Sequence, residues 1–519
     1  MTESTFVFLV DLERTPEFDF DTLAAQSDSR WVCLGLLSDT ARLAGTAPAF
    51  ARRIAGDARF AVLGWADLPE VLLSRADAFA VILDGALALA PDLLARLRAE
   101  TEASEAEPGL LLCLPDHRAQ ETEPPPKRFW DSDLALARDS FGAVKVLRAA
   151  RLAGWLSAVD LGEAAWPYGV ALLEAASLGR ERVRVLDDPP YHPLDGREDG
   201  ERKASELRLA RAVLPRFGRH LQLVETGEGE RRLLAAPPRW PRVSVIIPTR
   251  DQLYYLRRCV DDLLQATDYP ALEILIVDNN SEEPGTLAYL EKIAAQPKVR
   301  VVPARVPFNY PKINNLAVEQ AGGEVLLFLN NDISVLEPGW LKEMVSQALR
   351  SDVGAVGSLL FYPDGRIQHA GVLLGADGGI AGHIGRLCED AWIDEGPGRA
   401  VQESSAVTAA CMAMRRSVFD EIGGFDPNLA VSYNDVDLCL RAWRHGFRVV
   451  WTPFARLVHH ESVSRGSDDL PENRERALGE YHAMRARWGV FLQRDTHYSA
   501  AFSTKLPGYQ ASNAPPRTN

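Results

Sequence analysis

VSVIIPTRD, Val243 to Asp251, sets a run of β-branched residues directly against Pro248, Thr249, Arg250 and Asp251. β-Branched side chains suit a pleated surface, so the run predicts a strand whose end is abruptly polar. Leu253, Leu256, Val260, Leu263 and Leu264 follow at helical spacing. The pattern recurs twice: Ile274 to Val277 ends in Asp278, Asn279, Asn280 and Ser281, and Val325 to Leu329 ends in Asn330, Asn331 and Asp332. Short apolar runs alternating with helical periods predict an α/β fold with a mostly parallel central sheet covered on both faces. Ligands of such sheets bind at the carboxyl ends of the strands, so the three polar clusters are expected to converge.

Outward from this region, the 519 residues are too many for one compact core and suit two or three domains. A hydrophobic share of 46% and a charged share of 25% exclude wholesale disorder and collagen-like or disulfide-scaffold classes. The formal charge of -15 disfavours a nucleic-acid partner held by phosphate neutralisation. Cys33, Cys113, Cys259, Cys388, Cys411 and Cys439 form no CxxC pair, which suggests buried thiols in a reducing compartment. The N-terminal stretch lacks the features of a signal peptide, and no run approaches the ~18 apolar residues of a membrane span. A cytoplasmic protein with at most peripheral contact at the inner face of a membrane is therefore expected.

The Pro-rich AAPPRWPR, Ala235 to Arg242, punctuates the chain before the first of these strands. The expected divisions are a first domain over 1–205, a linker over 206–240, a second domain over 241–495 and a flexible tail over 496–519. No GxGxxG turn follows the first strand and no GxxxxGK[ST] occurs, so dinucleotide and P-loop sites lose their main support. The glycines from Gly371 to Gly385 suggest a mobile loop. A site lined by acids, if it accepts a diphosphate, needs a divalent cation.

Six segments, taken together, resemble family 2 glycosyltransferases of the GT-A fold. They are VSVIIPTRD, ILIVDNNS (Ile274 to Ser281), LLFLNNDISVLEPGWL (Leu326 to Leu341), GGFD (Gly423 to Asp426), YNDVDLCLRAWRHG (Tyr433 to Gly446) and HHESVSRG (His459 to Gly466). FNYPKINNLAV and IQHAGV further resemble the enzymes that build bacterial surface polysaccharides, including rhamnosyl transferases of O-antigen assembly.

The resemblance implies a nucleoside-binding role for Thr249, Asp251 and Asp278. Asn330, Asn331 and Asp332 fall at the family's DxD position, with Asn330 replacing its first acid. Asp332 and His459 would be ligands of a divalent cation, Mg2+ or Mn2+. Asp435 aligns with the general base, although Asn434, Asp435 and Asp437 also read as an ordinary acidic helix start. Asp437 would orient the acceptor or cap that helix, with His369 and Glu461 as further acceptor or supporting groups. The implied reaction is inverting transfer from a UDP- or dTDP-linked sugar to a glycan or lipid-linked glycan. Arg487 and Trp488 are preceded by Met484 where processive synthases carry the Gln of QxxRW, so transfer of one or a few sugars is expected. Two rival classes are an inactive nucleotide-sugar-binding or scaffold protein and a nucleotidyltransferase, which normally needs a glycine-rich phosphate loop.

The first half reads as a damaged copy of the second. VLRAARLAG (Val146 to Gly154) resembles AMRRSVFDE (Ala413 to Glu421), and an arginine precedes a histidine by the same 44 residues in both halves, Arg148 and His192, then Arg415 and His459. On this register Asp435 corresponds to Tyr168, Asp437 to Val170 and Asp332 to Gly85, or to Asp84 after a one-residue shift. A degenerate GT-A-like domain without catalysis is expected there.

Overall fold

The computed structural model describes residues 5–15, 18–85, 87–102, 108–113, 130–159, 165–178, 182–186, 191–193, 200–217, 220–226, 231–395, 400–460, 471–493, 495–498 and 503–508. In the first half the strands are β1 (Phe6–Asp11), β2 (Trp31–Leu37), β3 (Phe60–Gly64), β4 (Phe79–Leu83), β5 (Leu87–Leu89), β6 (Leu110–Cys113), β7 (Val144–Arg148), β8 (Val183–Leu186) and β9 (Tyr191–Pro193). They form one sheet in the order β3-β2-β1-β4-β7-β6-β8, with β5 and β9 paired beside it. A hairpin, β10 (Leu221–Glu225) and β11 (Arg231–Ala235), then leads to the second half.

There the strands are β12 (Val243–Thr249), β13 (Leu272–Asp278), β14 (Val299–Pro303), β15 (Val325–Leu329), β16 (Ile333–Val335), β17 (Val353–Phe361), β18 (Ile367–His369), β19 (Val372–Leu374), β20 (Ala381–His383), β21 (Gln402–Glu403), β22 (Cys411–Arg415) and β23 (Arg448–His459). The main path runs β14-β13-β12-β15-β22-β17-β23-β16. Alternate residues of β12 serve opposite faces. Ile246 packs with Leu275, Leu326 and Phe328 on one side, whereas Val245 and Ile247 pack with Val260, Leu263 and Trp340 on the other. Both faces are apolar, so the strand is a continuous hydrophobic run, as expected of a sheet buried on both sides.

The two sheets share strand order and pairing direction. β1 is parallel to β2 and β4 as β12 is to β13 and β15. β7 runs antiparallel to β4 and β6 as β22 does to β15 and β17. β6 is parallel to β8 as β17 is to β23. Phe79 faces Arg148 as Val325 faces Arg415. Past these strands, Asp84 N–H donates to Ala143 O at 2.8 Å and Asn330 N–H to Ala410 O at 2.9 Å. Asp84 therefore stands where Asn330 stands, and the sequence register that set Asp332 against Gly85 is displaced. The counterpart of Asp332 is Ala86, which lies outside the described residues.

Three expectations about connecting segments are corrected. The linker expected over 206–240 holds most of the helix Gly200–Val213 and the β10–β11 hairpin. Leu223 and Leu233 of this hairpin enter the first half's core, while Ser346 exchanges hydrogen bonds with both backbone groups of Ala235 and Gln347 Nε2 donates to Leu233 O. The glycine-rich stretch forms the β19–β20 hairpin. At Gly375, φ is +68° and a Cβ would meet the Leu492 carbonyl oxygen, so only glycine fits. Of the expected tail, His497 and Tyr498 are buried. Just before them, Asp495 accepts from Leu374 N–H at 2.7 Å.

A buried ion cluster joins the halves. Asp133, fully buried on the helix Ser132–Ala137, receives Arg350 and, at 2.8 Å, Arg448. Arg448 also bonds Glu403 and Asp352, and Asp131 accepts from Glu403 N–H at 2.8 Å. All six cysteines are free and all but the half-buried Cys388 are buried. Among the described residues no helix is long and apolar enough to cross a membrane. Asp133→Ala removes the buried carboxylate that Arg350 and Arg448 share and is expected to cost about 3 kcal/mol, seen as a lowered thermal midpoint. Arg42→Ala, which removes the exposed pair with Asp39, should leave the midpoint almost unchanged.

Candidate active site at the strand ends

The parallel register of β12 and β13 sets Thr249 beside Asp278, and both are buried. Asn331 Nδ2 donates to Thr249 Oγ1 at 2.9 Å, which ties the end of β15 to the end of β12. Asp278 accepts from Ser281 N–H at 3.0 Å, and Arg305 approaches its other oxygen at 3.6 Å. Asp251 and Gln252 both have left-handed φ, +54° and +62°. This turn aims Asp251 Oδ1 at the N–H groups of Glu282 and Glu283, at 2.7 and 2.8 Å, just ahead of the helix Pro284–Ile293. That oxygen thus anchors the next strand-to-helix loop.

Antiparallel pairing of β16 with β23 places Ile333 opposite His459 and so brings Asp332 to the histidine. His459 Nε2 lies 3.2 Å from Asp332 Oδ1 and 3.2 Å from Asn330 Nδ2. Asp332 Oδ1 is buried and accepts no hydrogen bond. An orphaned buried carboxylate oxygen facing an imidazole nitrogen is costly unless something cationic completes it. Two neighbouring ligands on an octahedral cation with bonds of about 2.1 Å lie about 3 Å apart, so this pair fits such an ion. Among the described residues no three metal-binding side chains gather. A cation here would take its remaining ligands from a diphosphate or water.

Asp435 opens the helix Asn434–Arg444 after Tyr433, whose φ is +64°. Its carboxylate accepts from Ala409 N–H at 3.1 Å and from Val436 N–H at 2.8 Å. The next carbonyl, Ala410 O, is the acceptor of Asn330 N–H, so one short segment connects the acid to the β15 end. Burial first, then the Asp435 charge, raises the Tyr310 hydroxyl above its ordinary range. Tyr310 Oη donates to Ala409 O at 3.1 Å.

Asp437 is elsewhere. It is fully buried and accepts from Arg441 Nε, Arg487 Nη1 and Trp488 Nε1 at 2.8, 2.7 and 2.9 Å. Arg487 also reaches Asp426 at 2.7 Å. Asp437 therefore ties the helix Pro471–Gln493 to the domain, and of the two expected roles, acceptor orientation and support, its observed partners fit the supporting one. Arg487 and Trp488, weighed in the sequence only against a processive motif, are its partners. The Asp437 and Arg441 spacing of four on a helix was the one available signal.

His369 is wholly buried and neither ring nitrogen has a hydrogen-bond partner. Its ring meets that of His383 edge-on at 4.8 Å. Burial, then His383 and His459, hold it well below the usual histidine range, so it is neutral. Glu461 lies outside the described residues. Sequence reasoning missed Gln368, whose Oε1 lies 2.7 Å from His459 Nδ1.

The same place in the first half is filled differently. Both oxygens of Asp84 are taken by Arg202 at 2.8 Å, and the fully buried Lys145 reaches it at 3.2 Å. Burial alone would raise this acid, but Lys145 and Arg202 hold it well below the usual carboxylate range. Leu37, fully buried, stands where β13 carries Asp278. Tyr168 donates its hydroxyl to Ala135 O at 2.9 Å.

The family model described as glycosyltransferase like family 2 matches residues 241–490. The chain is 47% identical over 266 residues to y4gI of Sinorhizobium fredii, described as uncharacterized, covering 50% of this chain and 29% of that protein. It is 38% identical over 386 residues to the O-antigen biosynthesis protein RfbC of Myxococcus xanthus, covering 71% of this chain and 30% of the relative. It is 27% identical over 233 residues to an N-acetylglucosaminyl-diphospho-decaprenol L-rhamnosyltransferase of Mycobacterium tuberculosis, covering 41% and 74%. The chain thus spans less than a third of the length of the first two relatives.

Asp437→Ala is expected to destabilise the protein by about 3 kcal/mol, because Arg441 and Arg487 lose their shared buried partner. Asp435→Asn, at a half-buried helix start, should leave thermal stability nearly unchanged. Differential scanning calorimetry on the two variants separates the roles.

Proposed function

We propose, since residues 241–490 belong to glycosyltransferase-like family 2 and have its GT-A fold, that this protein transfers a sugar from a nucleoside-diphosphate donor to an acceptor hydroxyl with inversion. The observation that carries it is the orphaned Asp332 Oδ1 facing His459 Nε2 at 3.2 Å, with Asp435 linked to the β15 end through Ala409 and Ala410. Asp332 and His459 would hold a divalent cation, Mg2+ or Mn2+, which when bound neutralises charge on the diphosphate leaving group. Thr249 and Asp278 hold the nucleoside at the ends of β12 and β13, where Asp278 can accept from a base imide or ribose hydroxyl. Asn331 fixes Thr249 in that position. Asp435 accepts the proton of the acceptor hydroxyl as its oxygen attacks the anomeric carbon in line and the bond to the diphosphate oxygen breaks.

The surface-polysaccharide context rests on RfbC and on the mycobacterial relative, whose name specifies a lipid-linked acceptor. The donor is read as UDP- or dTDP-linked and the acceptor as a glycan or lipid-linked glycan, with work at the inner face of a membrane through peripheral contact. Residues 1–205 act as a non-catalytic copy. The support is Asp84 sealed by Lys145 and Arg202, together with Leu37 in place of a nucleoside-facing acid.

Asp435→Asn should lower transfer by about 10²- to 10⁴-fold, with donor affinity kept when measured by calorimetry. Undiminished turnover removes Asp435 as the base. Chelation with EDTA should abolish transfer, and Mg2+ or Mn2+ should restore it. The released product is a nucleoside diphosphate; pyrophosphate would instead indicate nucleotidyl transfer, and donor binding without any turnover would indicate a scaffold.

A further inference from the structure

His459 has two ring nitrogens and the site uses only one of them. Nε2 faces Asn330 Nδ2 and Asp332 Oδ1, each at 3.2 Å. Asn330 presents an amide N–H, which requires an acceptor, so Nε2 carries the lone pair. Asp332 Oδ1 takes no hydrogen bond from the ring, as befits an unprotonated Nε2. The ring proton then resides on Nδ1, and the atom facing Nδ1 is Gln368 Oε1 at 2.7 Å. That is the shortest contact the histidine makes among those described, and it is buried.

Gln368 is placed to impose this state. It is 2% exposed and sits on β18, which pairs with β17, which in turn pairs with β23, the strand that carries His459. Its carbonyl oxygen lies 3.2 Å from His383 Nδ1, so its backbone is tied to the β19–β20 hairpin as well. Gln368 is the residue left over at a bulge in that ladder, between the pairs of Leu360 with His369 and Phe361 with Ile367, so the bulge sets the separation of donor and acceptor. A histidine ligand almost always needs such a partner on its distal nitrogen, because the partner selects the tautomer and the ring orientation.

We propose that Gln368 is a positioning residue that holds the proton on His459 Nδ1 and so keeps the lone pair on Nε2, where a divalent cation shared with Asp332 would displace the Asn330 N–H. This rests on the metal role assigned above to Asp332 and His459. A neutral amide orients the ring without adding charge, so a carboxylate in its place should serve as well, whereas an isosteric thioether should not.

The test uses the full chain and Mn2+ alone, titrated by electron paramagnetic resonance without donor. Gln368→Met should weaken Mn2+ binding by about 10- to 100-fold, and Gln368→Glu should restore it to near the level of the unaltered protein. Equal Mn2+ affinity in Gln368→Met, or loss in Gln368→Glu as deep as in Gln368→Met, overturns the proposal. Should the methionine variant fail to fold, the ring nitrogen shifts of 15N-histidine-labelled unaltered protein decide. The Nδ1–H tautomer of His459 is expected, and the Nε2–H tautomer refutes the assignment. Asp332→Asn separates the two levels. Mn2+ binding lost in Asp332→Asn but kept in Gln368→Met removes only the role of Gln368, whereas no Mn2+ binding by the unaltered protein removes the metal role and this inference with it.

Discussion

The antiparallel pairing of β16 with the end of β23 sets Ile333 opposite His459, and the chemistry of the site depends on that one register. A slip of one residue would turn His459 to the other face of the sheet and leave Asp332 without its neighbour. The pairing is defended from both sides. His460 N–H donates to Asp332 O at 3.0 Å, and Gln368 meets the far side of the histidine ring. The remaining strand ends are coupled to the same point, through Asn331 to Thr249 and through Ala410 to Asp435.

Two sheets of one topology show how little chemistry a backbone frame dictates. In both, the fourth strand in chain order ends in a polar residue whose N–H is held by an equivalent carbonyl. In the second half that residue is Asn330, open to the His459 side. In the first it is Asp84, and a buried carboxylate must find cations within the protein. Lys145 and Arg202 supply them, so the place is satisfied internally. The two halves share a frame, and in the first its charge is closed off.

The halves are joined by more than chain continuity. The β10–β11 hairpin packs leucines into the first core while its backbone bonds the helix Trp340–Ala348 of the second. Asp133 accepts two arginines from the second half. From there buried polar contacts pass through Glu403 to His497, and Ser405 bonds Asp495, which holds Leu374 on the β19–β20 hairpin. The first half and the C-terminal segment are therefore linked to the β19–β20 hairpin through buried polar contacts.

The strand ends were legible because each is written in a short window: an apolar run, then a polar cluster, then a helical period. Thr249, Asp278 and Asn331 come together as those windows imply, and Asp332 reaches His459. Asp435 could be placed at a helix start for the same reason. For Asp437 the choice between acceptor and support stayed open, because its partners Arg487 and Trp488 lie some fifty residues on, and no local pattern records a contact at that distance. Gln368 escaped notice because a neutral amide in a strand carries no chemical signature until a histidine ring is seen against it. The supposed linker and tail looked polar and irregular in sequence, yet their sparse apolar residues are buried by distant elements. The sequence alone determined the strands, their polar ends and the α/β class, since these depend on periodicity and on backbone propensity. Only the tertiary structure decided which carboxylate faces a histidine and which is spent on arginines, because burial and pairing across the sheet set the partners of each charge.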